Sequence, residues 1–136
     1  MFFQIVGIPK ASTIIMVKRI RVSAETPNDN RLQVRGYIAT STATGLVATT
    51  ASPKNTLWRA DGASVQVKNL TTSTAFGGFT AVATLFQHDF NARGVWEFIA
   101  RDEQDYFVTQ PSTWFGLSLL STSASVTANV TVEWIS

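Results

Sequence analysis

The sequence predicts an all-β fold: a single-domain antiparallel β-sandwich, jelly-roll-like, of about eight strands. Three observations lead there. Threonine and serine supply 18 and 12 of the 136 residues, and threonine, β-branched and polar, suits the wet face of a sheet. Short apolar runs recur every 8–14 residues or so with turn residues between them, the spacing of a sandwich or barrel. Alternation is clean at the end of the chain: Val126, Ala128, Val130, Val132 and Trp134 share one face, and Thr127, Asn129, Thr131 and Glu133 the other. No stretch carries a helical period.

The elements follow in order. Phe2 to Ile8 is a short apolar segment that Pro9 ends. Thr13 to Ala24 is a long strand with Ile14, Met16, Ile20 and Val22 on its core face, interrupted by Lys18. TPNDN (26–30) is a turn, since proline fixes φ and Asn and Asp tolerate unusual backbone angles. Leu32 to Ser41 points Leu32, Val34, Gly36 and Ile38 inward and Arg31, Gln33, Arg35 and Tyr37 outward. Leu46 to Ala51 and Ser64 to Leu70 are strands, separated by a loop that holds SPKN and NTLWRADG. TTSTAFGG is a loop whose glycine pair permits a tight bend. Phe79 to Phe86 alternates, and HDFNARG (88–94) reads as a turn. Val95 to Ala100 is a strand, RDEQD a polar turn, and Phe107-Val108 a short apolar step before Trp114 to Leu120. The last strand must pair its backbone groups, so it is expected inside a sheet or against another subunit.

Length and composition bound the function. A chain of 136 residues is one domain and removes about 68% of its unfolded surface from water, so it needs no staple. It has no cysteine, which rules out disulfides and thiolate metal sites. Eleven basic against nine acidic residues leave a net charge of only +2. Nucleic acid is therefore not expected as the main partner, because that work needs a basic stripe. The apolar start is too short for a secretory signal and lacks basic residues ahead of it, and no run is long enough to span a membrane. A membrane is not expected as a partner.

Reactive side chains are few. His88 is the one histidine. With Asp89 and a serine it could be drawn as a triad, but no GxSxG elbow accompanies it. Asp102, Glu103 and Asp105 could offer oxygen to calcium, yet the spacing of a calcium loop is missing. Glu97 and Glu133 each sit beside a tryptophan, in WEF and VEW, and alternation sends each Glu to the wet face. No phosphate-cradling glycine motif is present. The expectation is no catalytic residue, no metal site and no cofactor: not an enzyme. Trp58, in a loop, is the candidate for stacking on a sugar ring.

A resemblance extends this reading. VKRIRVSAET, LQVRGYIATSTATGLVATTASPKN and the stretch VWEFIARDEQDYFVTQPSTWFGLSLLSTSASVTANVTVEWIS resemble small virion proteins of tailed bacteriophages. The shared pattern is a Trp-Glu-Phe strand (96–98), a polar turn (101–105), a proline (Pro111), a Gly-Leu strand (116–117) and an alternating Val-to-Trp ending (130–134). QPST departs from the pattern by lacking a glycine. The resemblance implies a β-sandwich or jelly-roll domain that decorates the exterior of a capsid as a cement protein. It implies a homotrimer bound to the major capsid protein and located on the virion. A tail, baseplate or head-fibre component is the alternative within the same class, and a carbohydrate-binding module the alternative outside it. Residues 10–136 are the domain. Residues 1–9 are either its first strand or an arm, in which case Phe2, Phe3, Ile5, Val6 and Ile8 would bind a partner by adding a strand to its sheet.

Overall fold

The computed structural model describes residues 2–9, 14–25, 29–41, 47–49, 65–69, 80–111, 113–121 and 127–135. Among these residues ten strands are formed: β1 (Phe2–Pro9), β2 (Ile15–Glu25), β3 (Arg31–Ser41), β4 (Val47–Thr49), β5 (Val65–Asn69), β6 (Thr80–Asn91), β7 (Val95–Ile99), β8 (Phe107–Thr109), β9 (Trp114–Ser121) and β10 (Thr127–Ile135). One 3-10 turn, Glu103–Asp105, precedes β8.

The strands make two antiparallel sheets. The larger runs β4-β5-β1-β9-β3-β6, and the smaller runs β10-β2-β7 with β8 beside the far end of β2. The chain passes repeatedly between the sheets: β1 lies in the larger, β2 in the smaller, β3 to β6 in the larger, β7 and β8 in the smaller, β9 in the larger and β10 in the smaller. This weaving, with β9 slotted between β1 and β3, is the jelly-roll manner of building a sandwich. β4 and β5 extend one sheet beyond it and β10 the other.

The core lies between β2 on one side and β3 with β9 on the other. Ile15, Val17, Ile20 and Val22 meet Leu32, Val34, Phe115, Leu117 and Leu119. Each such aliphatic side chain contributes about 1.5–3 kcal/mol by leaving water. Phe86, Trp96, Phe98 and Phe107 fill the rim between β6 and β7, with ring centroids 5.3 Å apart for Phe86 and Trp96 and 4.6 Å for Phe98 and Phe107. Gly36 leaves room for the Phe86 ring on the inner face of β3.

Four expectations change. On β2, Ile14 is exposed and Met16 only half-buried, while Ile15 and Val17 are core. Glu133 lies opposite Arg19 but Trp134 opposite Val17, so Lys18 is the extra residue of a bulge. A bulge shifts the side-chain parity of a strand, and the inward set passes from Ile15 and Val17 to Ile20 and Val22. Residues 88–91 are strand, not turn. β6 pairs with β3 out to Arg31 opposite Asn91, and the chain turns only at 92–94, where the Gly94 amide donates to the Asn91 carbonyl. Tyr37 is outside the main core cluster, as expected, yet it is buried, with its ring against Gly116 of β9. Finally, β10 is an edge strand, with β2 its one neighbour among the described residues.

β1 is paired on both flanks, with Phe2 opposite Leu120 on β9 and Ile8 opposite Gln66 on β5. β1 thus lies between β5 and β9 in the larger sheet.

Candidate functional site

The outward face of the smaller sheet carries the most organised surface. Its rows run across three strands. Because Lys18 is bulged, the even residues of β2 face outward before it and the odd residues after it. The first row is therefore Ile135, Met16 and Val108, from β10, β2 and β8. The second is Glu133, Arg19 and Ile99, and the third Thr131, Arg21 and Glu97. The fourth is Asn129, Ser23 and Val95.

The middle rows hold a charge ladder. Arg19 donates to Glu97 on one side, Nε to Oε1 at 3.1 Å, and to Glu133 on the other, Nη1 to Oε1 at 3.4 Å. Lys18 Nζ stands 4.0 Å from Glu133, and Arg21 Nε 4.0 Å from Glu97. These partners lie 78 and 114 residues from Arg19 in sequence; only the strand order joins them. Partly exposed pairs of this kind contribute about 0.2–1 kcal/mol each. Their larger effect is to settle both carboxylates. Glu97 and Glu133 share one face, as alternation requires, with a cation between them rather than an open cleft for an acid and base pair.

A second polar network covers the outward side of β3 and β6. Asp89 accepts from Arg31 and, at 3.1 Å, from the Gln33 side chain; Arg35 in turn donates to Gln33 at 3.2 Å. The Arg31 hydrogen bond, with help from Gln33, holds the Asp89 carboxyl below its ordinary range. Asp29 accepts from Asn91 and pairs with Arg93, both at 3.3 Å. An open depression lies here, lined by Asp29, Asn30, Arg31, Asp89, Phe90 and Asn91. His88 and Asp89 are neighbours on a strand and diverge accordingly. The His88 ring stacks on Trp96, centroids 5.8 Å apart, while Asp89 turns to Arg31. They do not form a pair.

The turn at 101–105 closes on itself. Asp102 caps it by accepting from the Gln104 amide at 2.9 Å, and Asp105 pairs with Arg101 at 3.0 Å. Arg101 lowers the Asp105 pKa, first through that side-chain hydrogen bond and then through its backbone amide. Asp102 and Asp105 are thus engaged in shaping the turn, and no group of three metal-ligating side chains occurs among the described residues. No helix among them is long and apolar enough to cross a membrane. Trp58 lies outside the described residues, and of Phe2, Phe3, Ile5, Val6 and Ile8 the structure places the backbone, in β1.

The fold and this surface define an all-β sandwich domain whose outward sheet face offers an apolar row beside a cross-strand ladder of ion pairs. Comparison with protein-family models, with curated proteins and with solved structures finds no match.

Proposed function

We propose that this chain is a structural virion protein of a tailed bacteriophage, a decoration protein that binds the outer shell as a homotrimer and cements it. The observation that carries the reading is the outward face of the smaller sheet: aliphatic side chains in a row, next to ion pairs that cross its strands. Such a surface suits burial against protein. Its apolar row gains from the loss of water. The weave of the sandwich and the sequence resemblance support the same reading.

The mechanism is linkage. A protein that binds only the assembled shell stabilises it by RT ln(1 + [L]/Kd) at each site. Contacts repeated on a symmetric trimer raise the effective concentration of the remaining contacts once the first forms. No covalent chemistry is needed. The test is addition of the purified chain to shells stripped of decoration protein. Saturable binding with a rise in the temperature of shell disruption is expected. Absence of binding to shells, with quenching of tryptophan fluorescence by a sugar, would replace this reading with a carbohydrate-binding module.

A further inference from the structure

The depression beside β3 and β6 has a volume of about 320 Å³, at the lower end of the range of ligand clefts. Two segments line it: Asp29, Asn30 and Arg31, which lead into β3, and Asp89, Phe90 and Asn91, which end β6. The backbone ties them together. The Ala92 amide donates to the Asn30 carbonyl at 2.8 Å, and Arg31 lies opposite Asn91 in the register. Both walls are thus fixed before a ligand arrives, which lowers the cost of binding one.

The lining keeps hydrogen-bonding capacity that the fold does not use. A carboxylate offers about four acceptor sites and a guanidinium five N–H donors. Asp89 accepts from Arg31 and Gln33, and Arg31 donates to Asp89 through Nη2. Asn91 and Arg93 both stand on Oδ1 of Asp29, so its Oδ2 remains open. Asn30 is engaged through its backbone carbonyl, and its side-chain amide makes no hydrogen bond among the described residues. Spare acceptors and spare donors therefore line one depression.

Charge selects among ligands. Asp89 pairs with Arg31 and Asp29 with Arg93, two carboxylates against two guanidinium groups. Arg35 joins the network through Gln33 and is outside the lining. An anion entering here meets Asp29 and Asp89, and a cation meets Arg31, so neither recovers what it loses on leaving water. A hydroxyl group both donates and accepts. It gives its hydrogen to a carboxylate and takes one from Arg31 or an asparagine, and both ion pairs stay intact. Phe90, half-buried, is the apolar member of the lining and suits a C–H face. Several hydroxyls on a ring with an apolar C–H face describe a sugar. We infer that this depression binds a neutral sugar, as a single unit or as the end of a glycan chain, through Asp29, Asn30, Arg31, Asp89 and Asn91.

This inference does not depend on the virion reading, because the depression belongs to the larger sheet and the face that carries that reading to the smaller. The experiment is saturation-transfer NMR with the full chain, followed by titration calorimetry. The probes are glucose, galactose, mannose and N-acetylglucosamine, with glucosamine as a cation and inorganic phosphate as an anion. At least one neutral sugar is expected to bind with a Kd below about 10 mM, and neither charged probe to displace it. Asn30→Ala removes no side-chain hydrogen bond of the described residues, so it should leave the urea midpoint unchanged and weaken the sugar at least about tenfold. Asp89→Asn should weaken it as well. Arg101→Ala, on the exposed turn before β8, should bind as the original does. Binding of none of the four neutral sugars, a preference for phosphate or glucosamine, or affinity unchanged in both Asn30→Ala and Asp89→Asn overturns the inference. A chain that binds shells and no sugar loses this site alone. A chain that binds sugar through Asn30 and no shell loses the capsid reading alone.

Discussion

The Tyr37 ring on Gly116 makes a sharp prediction about packing. A Cβ at position 116 would fall inside van der Waals contact with Tyr37 Cε2, Cζ and Cδ2, the farthest of them 2.6 Å away. The ring cannot swing clear cheaply, because Tyr37 is 3% exposed and Ala39, on the same face, is 1% exposed. Overpacking a filled site costs about 1–3 kcal/mol. With ring atoms in conflict and no open space beside them, Gly116→Ala should fall at the upper end, about 2–3 kcal/mol. In a chain of this size that lowers the melting midpoint by roughly 10 °C. The assay is urea unfolding followed by tryptophan fluorescence, with the slope m held constant as the sign that stability alone has changed. A double-mutant cycle isolates the cause. Tyr37→Ala should cost about 3–5 kcal/mol by itself, but Gly116→Ala added to it should cost little, giving a coupling of at least about 1 kcal/mol. Additive losses, or a Gly116→Ala loss below about 0.5 kcal/mol, the range of an ordinary surface change, would refute the reasoning. Gly36→Ala, which meets the half-buried Phe86 instead, should cost less, because that ring lies on an edge strand and can move outward.

Further expectations concern the two faces of the small sheet and the carboxylates. Ile20→Ala, at a fully buried position, should lose about 2–5 kcal/mol, whereas Ile99→Ala in dilute solution should lose less than about 0.5 kcal/mol; equal losses in urea unfolding would put the core on the wrong face. Trp134→Ala should cost about 3 kcal/mol, since the ring packs against the core cluster from the edge strand, and a loss below about 1 kcal/mol would contradict that packing. Arg19→Ala removes the bridge between Glu97 and Glu133 and should cost about 0.5–1 kcal/mol at low salt, shrinking as salt rises to about 1 M. Asp89 and Asp105 have folded-state pKa values below the ordinary one. Their stabilisation is complete above the unfolded value near pH 4 and is lost as pH falls through the folded values. The urea midpoint should therefore drop below about pH 4, and less steeply in Asp89→Asn; an identical acid limb in the variant would show that Arg31 does not act through Asp89.

What could be read from the residues alone was set by how local each cause is. Alternation is local, so β10 has its faces as expected: Ala128, Val130, Val132 and Trp134 pack against the core, and Thr127, Asn129 and Thr131 are exposed. Leu32 and Val34 on β3 follow the same rule. A bulge defeats it. Nothing in VKRIRV marks Lys18 as the residue without an opposite number, because the bulge belongs to a pair of strands and not to one. The residues assigned to the core through that slip, Ile14 and Met16, are the ones that build the exposed row. His88 to Asn91 looked like a turn from their polarity. In β6 Asp89 meets Arg31 and Gln33 across the strand, a partnership visible only once β3 is known to lie alongside. Arg19 between two glutamates is hidden for the same reason.

The strand order also dictates when the larger sheet can exist at all. Without β9 its hydrogen bonding falls into two pieces, β4-β5-β1 and β3-β6. β9 is also the last strand of that sheet to be synthesised. At roughly 5–20 residues per second, β1 leaves the ribosome on the order of ten seconds before the strand that joins it to β3. Throughout that interval Phe2 to Pro9, eight residues written FFQIVGIP, has one intended neighbour missing. The weave thus delays the larger sheet until β9 has been made, and strand pairs so distant in sequence form slowly. In those seconds the free edge of β1 is open to pairing with another chain, the hazard of any unpaired strand edge.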